Sequence, residues 1–259
     1  MQDQFDADLP DFGFGALECT IMCGRYVSPD EAAIERHWHI GRHNLNTSIV
    51  PVFNVAPTMQ VPIILQAPDG IIELAWARWG LIPGWWKKPA PPSLTFNARS
   101  EEAAEKPTWR SSLKTMRCLM PARGWYEWNE HERVRAESGR QVNQPYFIYA
   151  PDEEVVAFAA MWSLWKRPDA EPVLSCALLT REAAPSIAHI HHRMPVVLDP
   201  EQYLAWLAPS TTPKEVGMLI ADSLQDFEGY RVSTKVNSVR NDFPGLLEKI
   251  GQQTIGSAR

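Results

Sequence analysis

The chain has 259 residues, 45% of them hydrophobic and 22% charged, which suffices for a real core and excludes a disordered, coiled-coil or collagen-like protein. No apolar run approaches the roughly 20 residues that a membrane-spanning helix needs, so a transmembrane protein is excluded as well. The net charge of −6 argues against an indiscriminate nucleic-acid binder, but residues 1–22 hold Asp3, Asp6, Asp8, Asp11 and Glu18 and no Lys or Arg; the near-neutral remainder can still carry a basic groove.

Residues 1–22 read as an acidic leader without the basic n-region or apolar h-region of a secretory signal. Pro29–Trp38 predicts a helix, with Pro at its start and acidic residues in its first turn. Residues 41–60 read as loop and contain FNVAPT. Two strands follow, Val61–Gln66 and Ile71–Arg78, split by a Pro68-Asp69-Gly70 turn. Residues 79–96 form a long Trp- and Pro-rich loop, and 100–115 a helical stretch. Strands are expected near 117–129, 145–150, 154–162 and 173–180. Residues 183–190 read as a short helix, 194–198 as a strand, 200–207 and 213–224 as helices, 229–236 as a last strand and 242–250 as helix, before a flexible tail at 251–259. Many short strands without βαβ alternation predict an α+β fold. The expected form is one domain over 23–250, with a curved, mostly antiparallel sheet or irregular β-barrel flanked by short helices.

Four cysteines, Cys19, Cys23, Cys118 and Cys176, form no CxxC pair. With no export signal, the expectation is a cytoplasmic protein with reduced thiols rather than a disulfide framework. The composition is rich in Trp, 11 residues, and Pro, 22 residues, which suggests aromatic platforms and non-helical turns.

Several segments can carry chemistry. The loop Trp79–Lys88 places Trp85 and Trp86 beside Lys87 and Lys88. It is either an apolar loop folded onto the core or a surface where bases stack and phosphates pair, as single-stranded nucleic acid requires. Arg110, Lys114, Arg117 and Arg123 could extend such a surface. In Arg123–Asn129, Glu127 stands among Trp125, Tyr126 and Trp128. It is a solvated outward carboxylate or, in a cleft, one whose pKa is raised toward proton-transfer use. The run HIHHR at 189–193 has poor metal-ligand spacing, because His191 and His192 point apart on a strand; a single acid/base His fits it better. Asn97 either caps the helix after it or donates into a pocket. Cys23 is a small buried residue or, if Met22 starts the chain and is removed, an N-terminal cysteine. Its amine and thiol then lie near pKa 8 and 8.5. Such a 1,2-aminothiol captures an aldehyde as an imine and closes it to a thiazolidine.

Taken together, MCGRY at 22–26, FNVAPT at 53–58, RWGLIPGWW at 78–86, FNARSE at 96–101, CLMPARGWYEW at 118–128, LLTREA at 178–183, IHHRMPVVL at 190–198 and VSTKVNSVRN at 232–241 resemble the SOS-response-associated peptidase (SRAP) family of abasic-site processing proteins. The resemblance runs from about Met22 to Asn241. It implies a groove for single-stranded DNA containing abasic sites, and covalent capture of the abasic aldehyde by Cys23. It further implies catalytic roles for Asn97, Glu127 and His191, with His191 assisting sugar-ring opening. DNA contacts are implied for Arg25, Asn54, Trp85, Trp86 and Arg99. The expected protein is a cytoplasmic monomer, nucleoid-associated when bound to DNA, that needs no metal or organic cofactor. Because the reactive Cys must be N-terminal, residues 1–22 are expected to be absent from the mature protein, through initiation at Met22 or through self-cleavage. A cysteine peptidase acting on other proteins and a non-covalent DNA-binding module are the alternatives.

Overall fold

The computed structural model describes residues 23–251 apart from 46, 93–94 and 168–169. The leader at 1–22 and the tail beyond Gly251 lie outside the described residues. The strands are β1 Arg25–Ser28, β2 Arg42–Asn44, β3 Val52–Val55, β4 Gln60–Gln66, β5 Ile72–Trp79, β6 Asn97–Arg99, β7 Arg117–Ala122, β8 Gly124–Arg135, β9 Gln141–Tyr149, β10 Val156–Arg167, β11 Ala170–Glu182, β12 Arg193–Pro195, β13 Val197–Leu198 and β14 Glu228–Arg231. Five short helices accompany them: α1 Glu31–His37, α2 Ser100–Ala103, α3 Arg110–Thr115, α4 Tyr203–Leu207 and α5 Pro213–Ala221.

The larger sheet closes on itself. Antiparallel neighbours run β11-β10-β7-β4-β5, and β5 returns to β11 in parallel, Arg78 opposite Ser175 and Trp79 opposite Cys176. Closure removes the free edges that an open sheet would expose. The second sheet has the order β14-β9-β8-β1-β3. This is the mixed fold with a curved sheet and a barrel that the sequence predicts.

Alternation within the strands explains how both faces find partners. Val61, Ile63, Leu65, Ala75, Ala77, Trp79, Cys118, Met120, Phe158 and Cys176 share one buried cluster with Tyr26 and Trp125 of the second sheet. The intervening Ile64, Leu74, Leu119, Ala159 and Ala177 pack under Ile34, Leu113 and Trp206 of α1, α3 and α4. Strands covered on both faces read as nearly continuous apolar runs.

Several expected elements differ. The strand expected at 117–129 is two strands in different sheets. They divide at Gly124, whose φ of +151° and approach to Ile148 O leave no room for a Cβ. Residues 41–60, read as loop, contain β2 and β3, and residues 25–28 supply β1. The segment 183–190 is a series of turns, and 242–250 keeps only a 3-10 turn at Pro244–Leu247. Arg117 does not join any surface: it is 1% exposed.

Candidate active site

Cys23 lies just ahead of β1, and β1 pairs antiparallel with β8, Arg25 opposite Tyr126. Continuing that register sets Gly24 opposite Glu127, with Cys23 one residue further along. The Cys23 N–H donates to Glu127 Oε1 at 2.9 Å, and the Cys23 thiol is close enough to the same carboxyl group to be electrostatically coupled to it. Asn97, paired with Leu178 of β11, donates from Nδ2 to Cys23 O at 3.3 Å. His191 Nδ1 stands 3.7 Å from Glu127 Oε2. One corner between the two sheets thus gathers Cys23, Asn97, Glu127 and His191. Cys23 adopts φ +48°, a left-handed conformation that costs a non-glycine residue about 1–2 kcal/mol.

Burial sets the protonation states. Glu127 is 1% exposed. Desolvation pushes its pKa up to about 8, although hydrogen bonds from Cys23 work in the opposite direction. Burial, and then the neighbouring Glu127, push the Cys23 thiol well above its ordinary value. Burial holds His191 below 6.5, with the backbone of Arg193 opposing that shift. At neutral pH the carboxyl therefore carries the proton, the imidazole is neutral, and the thiol stays protonated.

The residues expected to contact DNA fall into two groups. Arg25 donates to Asn54 Oδ1 at 3.0 Å, to Val236 O at 2.8 Å and to Asn237 O at 3.4 Å. Asn54 is buried, and its Nδ2 reaches Val236 O, Ser238 O and Asn241 O at 3.2, 3.0 and 2.9 Å. These two side chains tie the segment 236–241 to β1 and β3. The second group faces solvent. Trp85 is 52% exposed. Trp86 is held by its Nε1 donating to Ala90 O at 2.8 Å, with Lys88 Nζ 5.6 Å from its ring centre. Arg99 is exposed and lines an open cavity of about 530 Å³ with Glu182, His192 and Arg193. Along β11, the Trp loop meets Ser175 through Ile82 N, Asn97 lies at Leu178 and Arg99 at Thr180. The aromatic loop, the cysteine and the arginine cavity thus follow one another along a single strand.

Arg193 and Glu101 escaped the sequence reading. Arg193 is 7% exposed, meets Glu101 with both terminal nitrogens at 2.7 and 3.0 Å and donates to Thr180 O at 2.8 Å. Both residues lie inside the conspicuous FNARSE and IHHRMP segments, which was the available signal.

Fold and site define a barrel-based α+β protein whose centre is a cysteine held through its nitrogen by a buried carboxylic acid. The sequence model of the SOS response associated peptidase (SRAP) family matches residues 22–239, and the chain belongs to that family. It is 33% identical over 232 residues to the abasic site processing protein YoqW of Bacillus subtilis, covering 88% of this chain and 99% of that one. It is 31% identical to the abasic site processing protein HMCES of Gallus gallus, over 77% of this chain and 66% of the relative. A crystal structure of a protein from Bacteroides thetaiotaomicron shares the fold, with TM-score 0.71 and 24% identity over 88% of this chain and all of the other. Among the described residues, no helix is long and apolar enough to cross a membrane.

Proposed function

We propose that this protein processes abasic sites in single-stranded DNA by covalent capture, with Cys23 as the N-terminal residue of the working form. The neutral α-amine of Cys23 attacks the aldehyde carbon of a ring-opened abasic sugar and forms a C–N bond. Loss of water gives an imine. The thiol sulfur then adds to the imine carbon, its proton passes to the nitrogen, and a five-membered thiazolidine closes. One water leaves overall and nothing is oxidised or reduced.

The observation that carries this reading is that the Glu127 carboxyl group accepts from the nitrogen of Cys23 and is electrostatically coupled to its thiol. When it carries its proton, Glu127 can deliver it to the sugar oxygen and to the departing hydroxyl. Once ionised, it can accept the thiol proton at ring closure. His191, 3.7 Å away, can exchange a proton with it after the imidazole has taken one up from solvent, and Asn97 orients the Cys23 backbone. A cysteine peptidase acting on other proteins fits less well. Its thiol must ionise, and here burial and Glu127 both oppose ionisation. Trp85 and Trp86 would stack bases, and Arg99 would meet phosphate.

A peptide nitrogen forms no imine, so the residues ahead of Cys23 must be gone first. Initiation at Met22 with methionine removal provides this, as does cleavage in the same cleft. Retention of residues 1–22 by Glu127→Ala in a chain starting at Met1, with release in the wild type, would identify self-cleavage. On this reading the protein acts as a cytoplasmic monomer, on the nucleoid when bound to DNA.

The test uses protein beginning at Cys23 and a single-stranded oligonucleotide with one abasic site. The expected product is a heat-stable adduct whose intact mass is the sum of the two less one water. Undamaged oligonucleotide should give none, and Cys23→Ser should lose the stable adduct. A Cys23→Ser protein that crosslinks as fully and durably as the wild type overturns the reading.

A further inference from the structure

His191 sits in an irregular chain segment, since residues 184–190 form turns rather than a helix. Its position against Glu127 therefore draws on contacts outside that segment; the ring itself meets the Arg193 backbone, and three other contacts bear on where the turn sits. Arg193 anchors the downstream end through Glu101 and Thr180 O. Ile190 is 2% exposed and packs over Gly229 of β14, where an added Cβ would lie 2.5 Å from Ile190 Cδ1. The third contact comes from the strand that carries Glu127. Asn129 Nδ2 donates to His189 O at 3.2 Å, and its Oδ1 accepts from the His131 N–H at 2.9 Å. Asn129 is 7% exposed and two residues beyond Glu127 on β8, so the two side chains share a face of the strand.

We propose that Asn129 is a positioning residue: its amide ties the His191 turn to the strand bearing Glu127 and so sets the imidazole against the carboxyl group. The amide holds one partner on its own strand and one on the turn, so it cannot swing to follow a displaced turn. Arg193 and Ile190 fix the turn to β11, α2 and β14, and Asn129 alone of the three couples it to β8. The charged and titratable groups facing His191 are Glu127 and Glu130 from β8, with His192 and Arg193 from its own segment. Asn129 is uncharged, so replacing it alters geometry without altering that set. The proposed catalytic consequence rests on the crosslinking reading; the geometric one does not.

The experiment compares Asn129→Leu and Asn129→Ser, each alone and combined with His191→Ala. Leu keeps approximate size and removes the donor. Ser keeps a local acceptor for the His131 N–H but is too short to reach the His189 carbonyl, and serves if the Leu variant fails to fold. The readouts are the adduct-formation rate from pH 5 to 9, affinity for undamaged single-stranded DNA, and the NMR titration of the His191 ring. The expectation is affinity within twofold of wild type and crosslinking slower by about tenfold, the scale of a displaced catalytic group. The His191 titration should move up toward its ordinary value, and Asn129→Ser should have less than a twofold further effect when His191 is already Ala. A folded Asn129→Ser protein with wild-type rate and wild-type His191 titration overturns the proposal. An equal loss of rate with and without His191 overturns it too. If the wild type forms no adduct, the crosslinking reading falls, and the His191 titration still decides whether Asn129 positions the ring.

Discussion

Two buried polar centres of this molecule treat charge in opposite ways. At Arg117 on β7, every terminal of the guanidinium is spent on main-chain carbonyls. Nε donates to Trp206 O at 2.7 Å, one terminal nitrogen to Leu113 O at 2.9 Å and Lys114 O, and the other to Ala208 O. These oxygens lie at the C-terminal ends of α3 and α4, where unpaired carbonyls accumulate and a cation is favoured. The cation is fully partnered, and its role is structural. At Glu127 the opposite holds. Among the described residues no lysine or arginine pairs with the carboxyl group, its contacts are to Cys23 and His191, and burial pushes its pKa up to about 8. The first centre spends hydrogen bonds on stability. The second gives up stability for a group poised to exchange a proton.

The largest expected effect breaks the first centre. Arg117→Met should leave four carbonyls without their donor, two of them buried, and cost about 2–5 kcal/mol, from about one to three for each buried acceptor left unpaired. Chemical denaturation measures it. Adduct yield per folded molecule should stay at the wild-type level, because Arg117 contacts nothing in the site. A loss below about 1 kcal/mol would show that α3 and α4 do not need this cap.

Glu127→Gln sharpens the comparison from the other side. Its native pKa of about 8 exceeds the ordinary 4.5, so the native chain keeps a proton that the unfolded chain releases. This favourable contribution is complete below about pH 4.5 and fades as pH rises through 8. Gln cannot ionise. While the Cys23 nitrogen is still in peptide linkage, the variant should equal the wild type near pH 4 and exceed it by about 2–4 kcal/mol at pH 9. In protein beginning at Cys23, crosslinking should slow by about a hundredfold, the scale of lost acid/base catalysis. Thermal melts across pH, with adduct kinetics beside them, check both halves. Equal melting temperatures at pH 9 would contradict the protonated carboxyl.

The contrast also marks what was legible in the sequence. The barrel strands were visible because alternation and turn residues are local signals, as at Val61–Gln66 and the Pro68-Asp69-Gly70 turn. Glu127 stood out through its aromatic neighbours, and the structure shows why: Trp125 packs into the core on the same face of β8. A curved sheet or barrel was legible, but not the pairing that closes it, because that depends on Arg78 meeting Ser175, almost a hundred residues apart. Arg117 looked like any other basic residue beside Arg110 and Lys114, since what buries it is the distant α4. The strands at 25–28, 42–44 and 52–55 were missed for a similar reason: they are short, and pairing rather than propensity makes them strands.

A smaller effect is expected at the exposed loop. Trp85→Ala should weaken binding of undamaged single-stranded DNA by about 1–2 kcal/mol if a base stacks on that ring. Trp86, whose indole N–H is already tied to Ala90 O, should matter more to the loop's shape than to direct stacking. Fluorescence titration at fixed salt measures the first. Unchanged affinity in Trp85→Ala would remove this loop from the DNA groove.

The smallest effect separates two arginines that sequence alone treats alike. Arg99 is exposed beside the cavity, whereas Arg25 is committed to Asn54, Val236 and Asn237. Burial lowers the Arg25 pKa to about 10, which still leaves it a cation at neutral pH. If Arg99 neutralises one phosphate, Arg99→Gln should reduce the slope of log affinity against log salt by about one, and the affinity loss should shrink as salt rises. Arg25→Gln should act differently. Freed from Arg25, the 236–241 segment loosens, so the loss should appear in thermal stability and persist at high salt, where a phosphate contact is screened. Binding isotherms from low to high salt for both variants, with melting curves beside them, decide the point. A salt slope lowered equally by both would mean that Arg25 also reaches phosphate, and the division between anchoring and DNA-facing arginines would be lost.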